Sequence, residues 1–257
     1  MTFNQKSWRL CIKLHKWCVL DKGSTGLHRI PTSTKGEADW QQAFRSELFM
    51  KLSWRRQELT KELVKAGYEV LSTDLDVVYV QNPLLESTLG LAPGQDLLVA
   101  REHDNNIGVN IGVYAAAPST GGQAFMQEWV SKRYRRRWDQ EVFQEILDHN
   151  LTVSTWGLIP SAKGFSMCTL RPGYTMQGFK YQVEAFLADE QYGRNMVFFH
   201  CACWETLNGY SKAEAMMQFL TLVLQRWRGH FAPKEVPEPQ SGLAGLGMDV
   251  YCWFAQC

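Results

Sequence analysis

Tyr68–Pro83 reads YEVLSTDLDVVYVQNP, and the reading of this stretch decides the fold. Gly67 stands before it as the natural cap of a helix, and Asn82-Pro83 closes it. A run rich in β-branched and aromatic residues between such punctuation predicts a buried strand. Asp74 and Asp76 fall in its middle. Two residues apart on a strand, their side chains leave the backbone on one face. A carboxylate buried unpaired loses its hydration, and two so close also repel each other. A hard divalent cation, Mg²⁺ or Mn²⁺, explains the pair, with oxygen ligands and substrate phosphates completing its shell. The competing reading is a strand end whose aspartates face solvent or pair with arginine.

Working outward, Phe44, Leu48, Leu52, Leu59 and Leu63 form a helical stripe between about Trp40 and Lys65. A helix that feeds straight into a buried strand is half of a βαβ unit, and this implies a largely parallel sheet in an α/β fold. Further buried strands are expected at Asp96–Ala100, at Asn105–Ala117 with Gly108 and Gly112 inside it, at Met196–His200, and early in the chain at Trp17–Leu20. Glycine within a strand marks a bulge or a close approach. Residues 121–150 read as a helical block split near Trp138-Asp139-Gln140, with Asp139 as N-cap of the second half. Residues 151–180 read as strand and loop, and Ser211–Trp227 as an amphipathic helix. One domain is expected over 1–232, followed by a linker and an apolar tail over 233–257.

Composition sets bounds. A chain of 257 residues with 45% hydrophobic and 21% charged content can build a sizeable core. A net charge of +1 creates no field that would gather nucleic acid. The one basic run, Lys132–Arg137, is read as a solvated helix face or a phosphate-facing edge. No apolar run reaches the ~18 residues of a membrane span, and no signal or anchor is visible. Seven cysteines without a C-x-x-C pair exclude zinc-finger spacing and leave at least one thiol outside intrachain pairing.

Two further constellations carry chemistry. His200 ends a buried run, where ligands bind in open α/β sheets, and its imidazole can complete a carboxylate metal site or simply pack. Asn110-Ile111-Gly112 and Asp139-Gln140 offer amide and carboxylate groups suited to sugar hydroxyls, although Asp139 also suits capping.

Leu71–Pro83 resembles the D-x-D segment of the nucleotide-diphospho-sugar transferases, glycosyltransferase family 77 of plants and algae. Asn110–Tyr114 is similar to that family's Asn-x-Gly strand, and Trp138–Phe143 to its Asp-Gln helix start. His200–Trp204 with Gly209 and Lys212 is similar to its closing segment. The four follow one another in family order over residues 40–215. The resemblance implies a GT-A fold: a Rossmann-like, mostly parallel sheet flanked by helices, with the N-terminal nucleotide strand missing or abbreviated here. It implies a nucleotide-sugar donor, a glycan or glycoprotein acceptor, Mn²⁺ or Mg²⁺, transfer with retention, and a Golgi-lumen setting. Asp74, Asp76 and His200 would hold the metal. Asp74, Asp76, Gly112, Trp204, Gly209 and Lys212 would bind the donor, and Asn110, Asp139 and Gln140 would line and orient its sugar. Tyr79 and Cys203 replace the family's usual Trp and Asn. The alternatives are a non-catalytic nucleotide- or carbohydrate-binding relative that has lost part of the donor site, and a metal-dependent phosphohydrolase.

Overall fold

The computed structural model describes residues 47–74, 76–81, 83, 89–102, 108–133, 137–149, 154–161, 163–166, 176–188, 195–201 and 212–227. The expected strand at Trp17–Leu20 and the linker and tail at 233–257 lie outside the described residues.

Helix α1 (Glu47–Lys65) opens the described chain. It ends as the sequence expects: Gly67 takes φ 93°, Gly67 N–H donates to Val64 O, and Tyr68 N–H donates to Leu63 O. This pair of bonds is the Schellman closure that glycine permits. Among the described residues, the buried face of α1 is not the leucine stripe. Trp54, Gln57, Thr60 and Val64 point inward, whereas Leu63 is exposed and Leu52 and Leu59 are only half-buried. Two of the four inward residues are polar, and a hydrophobic pattern cannot find them.

The D-x-D stretch is not one strand. β1 (Val70–Thr73) and β2 (Val77–Tyr79) belong to different sheets, and Asp74 and Asp76 lie at the crossing. The expectation that both aspartates sit mid-strand with period-two alternation is therefore corrected. Asp74 N–H still donates to Gly112 O (2.7 Å), while Asp76 O already accepts from Cys201 N–H (2.9 Å). The backbone thus trades ladders across three residues. This places the carboxylates at a sheet edge, where they keep contact with solvent.

The first sheet is ordered β1-β4-β3-β5, with β3 at Leu97–Arg101, β4 at Val109–Ala116 and β5 at Trp156–Leu158. The second is β2-β7-β6, with β6 at Gly164–Ser166 and β7 at Phe198–His200. A bridge from Glu102 to Ser166 joins them. The pairing is mixed. β3–β5 and β6–β7 are parallel crossovers, while β1–β4, β3–β4 and β2–β7 are antiparallel. Helices α2 (Thr120–Ser131) and α3 (Asp139–Asp148) lie between β4 and β5 in the chain. Helix α4 (Met176–Ala188) connects β6 to β7, and α5 (Lys212–Trp227) follows β7. The result is the expected α/β fold with helices flanking the sheets.

Met176–Lys180, expected within strand and loop, instead begins α4. Val183 and Leu187 of α4 are buried in one cluster with Phe219, Leu222 and Val223 of α5 and with Val78 and Phe199 of the second sheet. That tertiary burial holds the helix, since helix propensity alone is a weak prior. The helix-covered face of the first sheet packs Trp54, Tyr114, Phe125, Trp129 and Phe143 together. Trp129 and Phe143 meet edge-to-face at 4.6 Å between ring centroids. Between the sheets lie Val77, Leu98, Ala100, Val113, Ala115 and Phe198.

The register of β3 against β4 slips from Val99↔Tyr114 to Ala100↔Asn110. Val109 and Ile111 share the helix-side core with Tyr114 and Ala116, so the alternation changes phase near Gly112. This irregularity answers to the glycine inside the strand and brings Gly112 against His200.

Asp96 secures the other end of β3. Burial alone would raise its carboxyl, but hydrogen bonds from Ser119, Thr155 and Gly122 outweigh that and hold it below the usual range. Of the basic run, Lys132, Arg133 and Arg137 pair with Glu128, Glu58 and Glu145. These cations are therefore occupied by the chain's own carboxylates.

Candidate functional site

His200 closes β7 opposite Val77, the residue after Asp76. Asp74, Asp76 and His200 each offer one ligand atom, and these atoms lie within 4.8 Å of one another. His200 Nε2 is 3.2 Å from Asp76 Oδ1 and 3.7 Å from Asp74 Oδ2. The imidazole is 3% exposed, and its other nitrogen, Nδ1, lies 2.8 Å from Ser166 Oγ. Ser166 is fully buried and faces His200 in the parallel register of β6 and β7. A ring that donates from Nδ1 to the serine presents the Nε2 lone pair to the two carboxylates, the state a cation requires. Two carboxylate oxygens and an imidazole nitrogen at this spacing fit a divalent cation.

Ser166 carries no signal in the sequence, yet it meets the one buried side chain of the candidate site. Ser166→Ala is expected to lower Mn²⁺ affinity by roughly 10–100-fold, the usual effect of losing a partner behind a metal-binding histidine. Titration calorimetry with Mn²⁺ measures this, and unchanged affinity would remove the serine from the site.

Gly112 has a steric reason to be glycine. A Cβ there would overlap the His200 ring at Cε1 and Nδ1, and would lie 2.7 Å from Asn110 Oδ1. Asn110 is buried beside it. Its Nδ2 donates to Glu102 Oε2 (2.6 Å), and its Oδ1 accepts from Gly112 N–H (2.7 Å). This brace holds the irregular part of β4 against the imidazole.

Asp139 lies deeper, at 1% exposed. It is the first residue of α3 and not its N-cap, a position held by Trp138 with no side-chain cap bond. The capping expectation fails because the carboxylate is taken elsewhere. Its Oδ2 accepts from Gln57 Nε2 (2.7 Å), its Oδ1 from Gln140 N–H (3.1 Å), and Arg56 stands 3.9 Å away. Gln57 Oε1 accepts in turn from Tyr114 Oη, whose phenol burial pushes up and keeps a neutral donor. Gln140 Nε2 donates to Val109 O at 3.2 Å.

Arg56 of α1 links the two carboxylate groups, and nothing in its sequence context marks it. One terminal nitrogen contacts Asp74 Oδ1, while the other approaches Asp139 Oδ2 and lies 3.4 Å from Ile111 O. The arginine pairing weighed against the metal reading is thus present, but on the oxygen of Asp74 that His200 does not face. Asp74, Asp76, His200, Gly112 and Asn110 come together, with Asp139 joined through Arg56. Trp204 and Gly209 lie outside the described residues, as does the side chain of Lys212, which begins α5.

A profile of the nucleotide-diphospho-sugar transferases matches residues 12–216. The chain belongs to that family. The match covers every strand among the described residues and the whole Asp-Asp-His group, and the helix-flanked α/β fold agrees with it. The chain is also similar to an uncharacterised protein of Arabidopsis thaliana. The two are 25% identical over 123 residues, which span 47% of this chain and 37% of the relative. No solved structure matches. The family is one of nucleotide-diphospho-sugar transferases. No helix among the described residues is long and apolar enough to cross a membrane.

Proposed function

We propose that this chain moves a sugar from a nucleotide-diphosphate-sugar donor to a glycan or glycoprotein acceptor, with retention at the anomeric carbon, in the Golgi lumen. The observation that carries the reading is the convergence of Asp74, Asp76 and His200 from two sheets on one half-exposed site. These three would hold a divalent cation. The mixed oxygen–nitrogen set favours Mn²⁺ over Mg²⁺, because imidazole is the softer donor. When bound, the cation supplies Lewis-acid stabilisation of the charge that gathers on the departing diphosphate.

The chain's own residues supply the rest. Ser166 and Gly112 fix the imidazole by a hydrogen bond and by the space a side chain would fill. Asn110 and Glu102 brace the strand beside it. Asp139 and Gln140 belong to the donor-sugar side, with Arg56 between them and Asp74. Lys212 would meet the diphosphate, and Gly112, Trp204 and Gly209 would complete the donor's binding surface.

The test is binding. Uridine and guanosine diphosphates titrated into the chain should show affinity that appears with Mn²⁺ and vanishes with chelator. Nucleotide binding that chelator leaves untouched would overturn the metal-dependent reading.

A further inference from the structure

Arg56 has no place in the usual account of a carboxylate–imidazole cation site, because it sets a fixed positive charge against one of the ligands. Asp74 gives Oδ1 to Arg56 and turns Oδ2 toward His200 Nε2. Without a diphosphate the guanidinium rests beside Asp74: it belongs to a helix, it lies 3.4 Å from Ile111 O, and the buried Asp139 draws it from the other side at 3.9 Å. Asp139 is itself held by Gln57 and by the Gln140 N–H. An incoming divalent cation therefore meets a carboxylate already half neutralised, with a positive charge just behind it.

We infer that Arg56 sets the order in which the site fills, keeping affinity for the bare cation low so that the cation binds tightly only together with a diphosphate. The inference rests on the metal-dependent donor reading above. Repulsion between a single and a double positive charge across one carboxylate is worth on the order of tenfold in affinity even with water-like screening. A diphosphate reverses the sign for both cations, since its negative charge attracts the arginine and the metal together. By pairing with the diphosphate the guanidinium gives up Asp74 Oδ1 to the cation; in this way Arg56 makes the two ligands cooperative, and the coupling is reciprocal. The donor side of the site would not be loaded with metal until the diphosphate arrives.

The experiment is calorimetric titration of Mn²⁺ into the full chain, alone and with saturating inorganic pyrophosphate, which carries no base. Arg56→Gln removes the charge and keeps a donor for Asp74; Arg56→Lys keeps the charge. Arg56→Gln is expected to bind Mn²⁺ alone about tenfold more tightly than the natural chain. It should also shrink the factor by which pyrophosphate tightens Mn²⁺ by about the same amount. Arg56→Lys should stay near the natural values. Should Arg56→Gln fold poorly with Asp139 left uncompensated, the pair Arg56→Gln/Asp139→Asn removes both charges and should show the same tightening. Arg56→Gln, or the paired variant, binding Mn²⁺ alone no better than the natural chain would overturn the inference and leave the donor reading standing. A natural chain that binds no Mn²⁺ even with pyrophosphate would overturn the donor reading, and the inference with it.

Discussion

Asp76→Ala is expected to reduce affinity for Mn²⁺ in the presence of pyrophosphate by at least about a hundredfold, while the protein stays folded. Asp76 Oδ1 is the carboxylate oxygen nearest to His200 Nε2, at 3.2 Å. Asp74 cannot replace it, because one of its oxygens is committed to Arg56. Without Asp76 the cation keeps one carboxylate oxygen and one nitrogen, too few to hold a hard ion that is reluctant to lose its water. A hundredfold corresponds to about 2.7 kcal/mol. Stability should change by less than about 1 kcal/mol, because relief of repulsion from Asp74 offsets the lost contact with His200. Calorimetry for the metal and thermal unfolding for the fold measure the two effects separately. Retained Mn²⁺ affinity in a folded Asp76→Ala chain would refute the three-ligand site.

The second large effect is at a residue with no side chain. Gly112→Ala is expected both to destabilise the chain, by about 1–3 kcal/mol, and to lower Mn²⁺ affinity by about a hundredfold. The added methyl meets the His200 ring and Asn110 Oδ1, both buried. Neither is a flexible chain end. The ring is held by Ser166 and the amide by Glu102, so the strain must be taken by the backbone or by displacing the ligand. Denaturant unfolding and Mn²⁺ titration should therefore fall together. A Gly112→Ala chain with natural stability and natural metal affinity would show that β4 and His200 are not packed in this way. An Asn110→Ala control, which leaves the space at Gly112 open, should disturb the metal far less.

Much of the fold is legible residue by residue. Gly67 marks the end of α1, and the Val-rich and Phe-rich runs mark β2, β3, β4 and β7. Each rests on a local cause: glycine's tolerance of positive φ, or the enrichment of β-branched and aromatic residues in buried strands. The candidate-site residues are legible for a similar reason. Two carboxylates amid valines, and a histidine at the end of MVFFH, conflict with their surroundings, and such conflict points to a ligand.

Other features needed the folded chain. The break of Tyr68–Pro83 into two strands depends on which ladder each half joins, and β4 and β7 supply those ladders from 40–46 and 119–123 residues away in the chain. The buried face of α1 follows Gln57 and Thr60, chosen by the Tyr114 hydroxyl and the Asp139 carboxylate and not by hydrophobicity. Helix α4 exists through its packing on α5, which its own sequence does not announce.

By itself, then, the sequence determined which side chains are chemically out of place: Asp74, Asp76, His200 and the glycine at 112. Those anomalies are local, set by each residue and its immediate neighbours. Only the tertiary structure decided what accompanies them. Ser166 behind the imidazole, Asn110 braced by Glu102, and Arg56 set between Asp74 and Asp139 are ordinary residues made functional by distant partners. A hydrogen bond or an ion pair needs only a few ångströms of space and takes no account of separation along the chain. Partners of that kind leave no periodicity or spacing for a sequence to display.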